Sequence, residues 1–202
     1  MNLPNKLTIL RLIMIPLFVV TFYLTIIPYN YVISAVIFML AAFTDFLDGY
    51  IARKYKLVTN LGKFLDPIAD KVLVSTALIV MLLPYPNESA ILPFYGAIAV
   101  AIILARELIV SGFRIVAASN GKVLAADKSG KIKTFMQDLA VIILLFGADF
   151  MPNLYSIVNI VGLVFLGLAT LLTIYSGIEC VVKNREVLKE EKEENRKAQK
   201  EN

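Results

Sequence analysis

The chain alternates between long apolar stretches and short polar connections. The six apolar stretches, each bounded to within a few residues, are at about 9–29, 31–51, 65–84, 91–113, 134–150 and 155–182. The hydrocarbon core of a bilayer is about 30 Å thick, so a helix needs about 20 apolar residues to cross it. The pattern therefore predicts an all-α, polytopic membrane protein, a bundle of six transmembrane helices. No small-residue cleavage site follows the first stretch, so we expect a retained helix there rather than a signal peptide.

Lysine and arginine are distributed unevenly between the two ends of this predicted bundle. The connections without any Lys or Arg are those near 28–31, 84–91 and 149–155. Cytoplasmic loops of membrane proteins carry an excess of basic residues, so the opposite, basic side should be cytoplasmic. With six spans, both termini lie on that side. We expect residues 1–182 to form one transmembrane domain and residues 183–202 a charged cytoplasmic tail.

Composition narrows the chemistry that such a domain can perform. Of 202 residues, 58% are hydrophobic, the net charge is +4, and there is no histidine. A histidine-based triad, a histidine-ligated zinc site and histidine-held haem are therefore excluded. The single cysteine, Cys180, excludes an internal disulfide. Acid–base chemistry is left to carboxylates, lysine, tyrosine or water.

Two pairs of aspartates lie close to the second and third apolar stretches. Asp45 and Asp48 are three residues apart near the end of one, and Asp66 and Asp70 are four apart at the start of the next. Either spacing puts both carboxylates on one face of a helix. The loop between the stretches is short, so the two helices should be antiparallel neighbours. We expect the four carboxylates to converge near the inner membrane surface.

A cluster of four negative charges at a membrane boundary needs compensation. Divalent cations would supply it, and oxygen ligands without histidine or cysteine favour Mg²⁺ or Mn²⁺ over zinc. The alternative is that the aspartates cap helices or pair with neighbouring basic residues, as one or two aspartates at a membrane edge usually do. Because four of them occur at helical spacing, we favour the metal site.

Small and basic residues complete a longer pattern around these aspartates. Glycine lets a phosphate approach the backbone closely, and arginine offers a fixed positive charge, although each glycine alone is more often a packing or turn residue. The full segment is Asp45-x2-Asp48-Gly49-x2-Ala52-Arg53-x8-Gly62-x3-Asp66-x3-Asp70. At every defined position it resembles the signature of the CDP-alcohol phosphotransferase family, whose six-helix membrane architecture also fits the span count.

The resemblance implies a set of roles for these residues. Two divalent cations, held by Asp45, Asp48 and Asp66, would bind the pyrophosphate of a CDP-linked donor. Asp70 would be a metal ligand or the general base that accepts the proton of the acceptor's hydroxyl. The residues that the resemblance assigns to the CDP pocket are Gly49, Ala52, Arg53 and Gly62. The transmembrane domain would then be the catalytic domain, the family is typically homodimeric, and no nucleic-acid partner is expected.

The N-terminal segment Asn5-x2-Thr8-x2-Arg11 bears on the acceptor. It resembles the opening of the bacterial phosphatidylglycerophosphate synthases, a subgroup of the family that uses CDP-diacylglycerol and glycerol 3-phosphate in the cytoplasmic membrane. This resemblance adds Asn5 and Thr8 to the expected CDP pocket and Arg11 to the expected binding site for the acceptor's phosphate. The alternative is a helix N-cap followed by an arginine that extends towards the membrane surface.

Further basic residues lie in the fourth stretch and the loop that follows it: Arg106, Arg114, Lys131 and Lys133. The segments Ala105-Arg106-Glu107 and Gly130-Lys131-x-Lys133-Thr134-x2-Gln137 resemble the same subgroup. As a group near the aspartates they would hold the acceptor's phosphate, in the order Arg114 and Lys131 first, then Lys133 and Arg106. The alternatives are a buried Arg106–Glu107 ion pair, and basic residues that only set topology and contact anionic lipid.

The resemblance thus implies transfer of a phosphatidyl group from CDP-diacylglycerol to glycerol 3-phosphate, giving phosphatidylglycerol phosphate and CMP. Three alternatives stay open on the sequence. The acceptor could be inositol phosphate or another headgroup alcohol, since the aspartate spacing does not distinguish acceptors. A membrane prenyltransferase also uses aspartates and Mg²⁺ to hold a pyrophosphate. A divalent cation transporter would line its path with acids, although such sites usually lie near the midplane in repeated, broken helices.

Overall fold

The computed structural model describes residues 2–55, 59–83, 91–119, 128–150 and 155–184. The helices in these ranges are α1 (Leu3–Tyr23), α2 (Asn30–Lys54), α3 (Asn60–Leu82), α4 (Phe94–Ser119), α5 (Lys128–Phe150) and α6 (Tyr155–Lys183). The predicted all-α class is confirmed for the described residues, and each predicted apolar stretch corresponds to one helix. Most of the expected charged tail, from residue 185 onwards, lies outside the described residues.

Several helices extend beyond the apolar stretches into polar sequence. α1 begins at Leu3 because its early polar residues lie on a buried face of the helix, and Pro4 is tolerated in the first turn. α3 begins at Asn60 because the hydroxyl of Thr59, its N-cap, accepts a hydrogen bond from the Gly62 amide at 3.0 Å. Hydropathy alone placed these starts too late, since polar residues that face inwards still belong to the helix.

Membrane character is clearest in the four most apolar helices. Among the described residues, the segments long and apolar enough to cross a bilayer are Leu3–Tyr23, Asn30–Ala52, Phe94–Ser119 and Ile157–Lys183. α3 and α5 have 23 residues each, about 35 Å at 1.5 Å per residue, but they carry more charged side chains. Large apolar side chains such as Phe94 and Ile98 are exposed on the outer surface, where lipid would contact them. The protein is therefore a multi-pass membrane protein.

The helices contact one another in a closed order. α1 packs against α2 and α3, α5 packs against α2 and α6, and α4 packs against α6 and α3. Aromatic residues fill the space between α1 and α2: the ring centroids of Phe18 and Phe38 are 6.2 Å apart, and Phe22 meets Tyr31 edge-on at 5.0 Å. This core lies towards one end of α1 and leaves the other end to polar residues.

Two glycines allow α5 and α6 to approach closely. A Cβ atom added at Gly162 would lie 2.6 Å from Cγ of Leu144, and one added at Gly147 would lie 2.6 Å from Cγ1 of Val158. Small residues at such crossings let membrane helices pack through their backbones, because lipid provides no hydrophobic driving force between helices. α5 and α6 are thereby held at short range along an extended interface.

Polar groups secure the end of α2 that lies opposite the aspartates. The Asp149 carboxylate of α5 accepts hydrogen bonds from the backbone N–H groups of Tyr31, at 2.7 Å, and Val32, at 3.2 Å. The Asn30 amide donates to the Phe22 carbonyl at 2.6 Å, which ties the end of α1 to the start of α2. A carboxylate at a helix N-terminus satisfies otherwise unpaired amides and complements the helix dipole.

Replacing Asp149 with alanine should lower the free energy of unfolding by about 1–2 kcal/mol, because the first amides of α2 lose their acceptor. The loss should appear as a lower thermal unfolding midpoint of the protein in detergent. Asp149→Asn keeps one acceptor oxygen and should retain part of the stability. An alanine variant as stable as the unaltered protein would contradict this role.

Candidate active site

The site is built around one polar face of α1. Asn5, Thr8 and Arg11 follow one another at three-residue intervals, and their exposed fractions are only 5%, 1% and 0%. Polar side chains on an apolar helix must find partners inside the protein, since neither lipid nor a dry interior offers any. Each of the three meets a residue of α2, of α3 or of the connection between them. The prediction that these residues share a face is confirmed, and Arg11 does not extend towards the surface.

Arg11 joins α1 to both aspartates of α2. Its Nη1 atom lies 2.7 Å from Oδ1 of Asp45, and its Nη2 atom lies 2.6 Å from Oδ2 of Asp48. Nε is 3.4 Å from the hydroxyl oxygen of Thr44. The planar, forked guanidinium can direct one N–H group at each carboxylate, which a lysine ammonium on its flexible stem does less well. The Asp48 side chain is 3% exposed and that of Asp45 is 43% exposed, so the cluster opens to one side.

Asn5 and Thr8 connect α1 to the start of α3. The Thr8 hydroxyl donates to Oδ1 of Asp66 at 2.7 Å, and the Thr59 hydroxyl donates to Oδ1 of Asn5 at 2.8 Å. Gly62 lies within this group: an added Cβ would be 3.1 Å from Oδ1 of Asn5 and 3.2 Å from the Thr59 hydroxyl oxygen. A side chain at Gly62 would therefore require the side chains of Asn5 and Thr59 to shift slightly.

A second polar cluster lies between α3, α4 and α5. It lines a small pocket formed by Asp70, Lys71, Ser75, Glu107, Lys133, Thr134 and Gln137. Glu107 is the central acid: Lys133 donates to it, and Nη1 of Arg106 lies 3.2 Å from its Oε1. Gln137 is 3% exposed, and its Oε1 has no hydrogen-bond partner among the described residues. The pocket thus holds several cationic groups beside Asp70.

The aspartates of the motif divide between the two clusters. Asp45 and Asp48 come together on Arg11, and Asp66 is held one turn away by Thr8. Asp70 faces the second pocket, close enough to Asp45 and Arg11 for their charges to act on it. Within the described ranges, no three carboxylate or cysteine side chains meet closely enough to hold a metal ion. The structure therefore does not draw the four aspartates into one compact group, and two of them, Asp45 and Asp48, contact Arg11.

The basic residues assigned to the acceptor's phosphate also fall into separate places. Lys133 and Arg106 lie beside Glu107, so the expected Arg106–Glu107 ion pair is present, and Nη2 of Arg106 also donates to Ser176 at 2.8 Å. Arg114 and Lys131 are exposed on α4 and α5. Arg11 is not part of this group, because both of its terminal nitrogens are used by Asp45 and Asp48.

The remaining residues assigned to the CDP pocket lie on α2. Gly49 and Ala52 are half-buried near its C-terminal end, and the side chain of Arg53 lies outside the described residues. Asn5, Thr8 and Arg11 of α1 were expected at the site, but the extent of the α1 contacts was not. α1 contacts α2 and α3 more extensively than these two helices contact each other. The contacts of α1 with the aspartates join residues 34 to 58 positions apart, and the spacing within one motif does not predict such contacts.

Sequence reasoning also missed Asp138 of α5. This side chain has a buried Oδ1 without a hydrogen-bond partner among the described residues, and the charges of Asp70, Lys133 and Asp45 act on it. The available signal was a carboxylate within the fifth apolar stretch, which is costly in a membrane and therefore calls for a partner or a role. It falls outside the aspartate motif, so the motif could not identify it.

A model of the CDP-alcohol phosphatidyltransferase family matches residues 1–175, which include both polar clusters and all helices except the end of α6. The chain belongs to this family. The resemblance drawn from the aspartate motif is thereby confirmed.

Individual relatives of known name match nearly the whole chain. The CDP-diacylglycerol–glycerol-3-phosphate 3-phosphatidyltransferase of Bacillus subtilis (strain 168) is 40% identical over 200 residues, covering 93% of this chain and 97% of that protein. The protein of the same name from Rickettsia bellii (strain RML369-C) is 43% identical over 176 residues, covering 87% and 91%. That of Salmonella paratyphi A (strain ATCC 9150 / SARB42) is 38% identical over 182 residues, covering 88% and 92%.

Members of this family generally use divalent metal ions. The residues present fit such ions by ligand type, because the motif offers only carboxylate oxygens, the donors that Mg²⁺ and Mn²⁺ prefer. Oxygen atoms of Asp45 and Asp48 already point at one shared cationic group, the Arg11 guanidinium. The pair is therefore arranged to bind positive charge.

Gly62→Ala should have a lower free energy of unfolding than Gly167→Ala by about 1 kcal/mol or more, because the side chains of Asn5 and Thr59 must shift to admit its Cβ. Gly167→Ala in α6 is the matched control, since an added Cβ there has no atom within 4 Å. In a helix that substitution should be neutral or slightly stabilising. Thermal unfolding in detergent compares the two, and equal midpoints would show that α1 and α3 are not tightly packed at Gly62.

Proposed function

We propose that this protein transfers the phosphatidyl group of CDP-diacylglycerol to the hydroxyl of glycerol 3-phosphate, giving phosphatidylglycerol phosphate and CMP. The observation that carries the proposal is the match to phosphatidyltransferases of that name across 93% of the chain. The polar clusters support it. In the first, Asp45 and Asp48 lie where a cation would bind, and in the second, Lys133 and Arg106 lie beside Glu107. The protein is then a phospholipid-synthesising transferase.

We assign the metal role to the aspartates. Asp45, Asp48 and Asp66 would hold two divalent cations, Mg²⁺ or Mn²⁺, with Asp70 as a further ligand or as the general base. Bound ions would neutralise the charge of the donor's pyrophosphate. The approach of two of these carboxylates, Asp45 and Asp48, to one cationic group, Arg11, supports this assignment.

The nucleotide part of the donor is assigned to the face where α1, α2 and α3 meet. Gly49, Ala52, Arg53 and Gly62 would line it together with Asn5 and Thr8. The close packing at Gly62 supports this, because a side chain there would fill space next to Asp66, whose Oδ2 would lie 3.6 Å from the added Cβ. Arg53 supplies a positive charge suited to a phosphate.

The acceptor is assigned to the second cluster. Its phosphate would be held by Lys133 inside the pocket, by Arg106 beside Glu107, and by the exposed Arg114 and Lys131. An acceptor bound there has its hydroxyl beside Asp70, which also lines the pocket. The hydroxyl oxygen bonds to the lipid-side phosphorus, the bond from that phosphorus to the bridging oxygen breaks, and CMP leaves. Asp70 accepts the hydroxyl proton.

The same reaction constrains the placement of the protein in the membrane. We assign all six helices as spans of the cell membrane, with both termini, the tail 183–202 and the site on the cytoplasmic side. Basic residues on that side support the orientation. The site must open to the cytosol for glycerol 3-phosphate and CMP, and to the bilayer for the acyl chains. We also expect a homodimer, as the family resemblance implies.

The test is an assay of the purified protein with CDP-diacylglycerol, glycerol 3-phosphate and Mg²⁺, in which lipid product and CMP are both measured. The variant Asp48→Asn/Asp66→Asn should lose more than about 10³-fold in rate, because metal ions contribute several kcal/mol to such reactions. The matched control is Asp149→Asn, which changes a carboxylate of α5 that lies at the N-terminal end of α2, away from the motif. Normal synthesis by the double variant would rule out the metal role.

Acceptor competition separates glycerol 3-phosphate from the other headgroup alcohols. Glycerol 3-phosphate should be converted, and inositol phosphate should neither be converted nor slow the reaction. Product headgroup analysis reports the outcome. A product containing inositol would move this protein to a different acceptor class with the same donor chemistry. Release of pyrophosphate instead of CMP would contradict the proposed chemistry altogether.

The exposed basic residues of α4 and α5, Arg114 and Lys131, give a separate prediction. Arg114→Gln and Lys131→Gln should each raise the KM for glycerol 3-phosphate about tenfold while changing kcat little, because they remove a charged contact to its phosphate. Lys183→Gln removes an exposed positive charge at the end of α6 and serves as the control. Steady-state kinetics at varied acceptor concentration measure the effect. Equal KM values in all three variants would place the phosphate elsewhere.

A further inference from the structure

The positive charge of Arg11 has no contact with solvent and lies in the middle of the aspartate motif. Its side chain is 0% exposed, and two separate carboxylates take its two terminal nitrogens. A charge buried in this way is tolerated only where opposite charges and hydrogen bonds compensate it. The Asp48 carboxylate is only 3% exposed, so its negative charge in turn depends on the positive charge of Arg11.

We propose that Arg11 is a positioning residue that holds the carboxylates of Asp45 and Asp48 together when no divalent cation is bound, and that a divalent cation competes with it for them. The cation part of this inference rests on the proposed function. The positioning part rests on the observed contacts alone. Arg11 then acts through the aspartates and does not itself touch the reacting atoms.

The geometry explains why an arginine is suited to this task. Asp45 and Asp48 are on successive positions of one helical face, and the guanidinium donates to one oxygen of each, at 2.7 and 2.6 Å. The contact of Nε with Thr44 fixes the plane of the group. One turn earlier on α1, Thr8 holds Asp66 at 2.7 Å. α1 therefore positions three of the four aspartates through two of its side chains.

The electrostatics make the guanidinium and a divalent cation alternatives for the same carboxylates. Two positive groups next to one pair of acids repel each other, more strongly in a poorly hydrated site than in water. Arg11 should therefore weaken cation binding while stabilising the cation-free protein. Removing the charge of Arg11 should strengthen cation binding and lower the stability of the cation-free protein. Loss of a purely structural ion pair would lower the stability without strengthening cation binding.

The experiment follows thermal unfolding of the full chain in detergent, first with EDTA and then with increasing MnCl₂. Arg11→Gln is compared with Lys6→Gln, which removes an exposed positive charge from the same helix. In EDTA, Arg11→Gln should lower the midpoint by about 5 °C or more, because two carboxylates lose their partner. Mn²⁺ should restore much of this loss, with half-saturation at about tenfold lower concentration than in the unaltered protein. The unfolding midpoints of Lys6→Gln should equal those of the unaltered protein, both in EDTA and with Mn²⁺.

Two further variants keep the test decisive if Arg11→Gln is hard to purify. Arg11→Lys retains the charge but not the fork, so its midpoint in EDTA should lie between those of Arg11→Gln and the unaltered protein. Arg11→Gln/Asp48→Asn removes the uncompensated carboxylate as well, so it should be more stable in EDTA than Arg11→Gln alone. A double variant that is no more stable than the single one would overturn the positioning role.

The remaining outcomes separate this inference from the proposed function. An Arg11→Gln midpoint in EDTA equal to that of the unaltered protein overturns the positioning role, whatever the assay shows. A lower midpoint with an unchanged Mn²⁺ half-saturation overturns the competition. If Mn²⁺ does not shift the unaltered protein at all, the competition fails together with the metal role in the proposed function. CMP release in the activity assay tests the transferase reaction independently of all these results.

Discussion

The ion pairs between Arg11 and the aspartates Asp45 and Asp48 determine how the polar end of this bundle is built. A membrane helix cannot leave a guanidinium or a carboxylate without a partner, so α1 and α2 must lie side by side at this level. The Thr8–Asp66 contact extends the same requirement to α3. The apolar contacts along the rest of α1 and α2 then follow from a helix alignment that these polar pairs specify.

The two polar clusters pair their charges differently. Around α1, one cation is shared by two acids, whereas around α4 and α5 one acid, Glu107, is shared by Lys133 and Arg106. A pair of acids is suited to positively charged ligands, and lysine and arginine side chains are suited to phosphate. Asp70 lines the second pocket beside Lys71 and Lys133, while the charges of Asp45 and Arg11 act on it. This division places a carboxylate where the two kinds of ligand would meet.

The sequence was sufficient to predict the helices and the motif, but not the partners of its residues. Long apolar runs identify each helix because a bilayer demands length and apolarity, and helical spacing places Asp45 with Asp48 on one face. The pairing of Arg11 with these aspartates joins residues 34 and 37 positions apart, and no local rule specifies it. Likewise, no local rule specifies the hydrogen bonds from the Tyr31 and Val32 amides of α2 to Asp149 of α5. Helix starts were placed late for a related reason, since hydropathy treats inward polar residues as loop.

The side chains of Asp45 and Asp48 differ widely in their exposure to water. Asp45 keeps 43% of its side chain accessible, whereas Asp48 keeps 3% and lies behind the guanidinium. A solute that diffuses in from water therefore meets the carboxylate of Asp45 before that of Asp48. Two acids that share one arginine thus differ in how readily water and dissolved ions reach them.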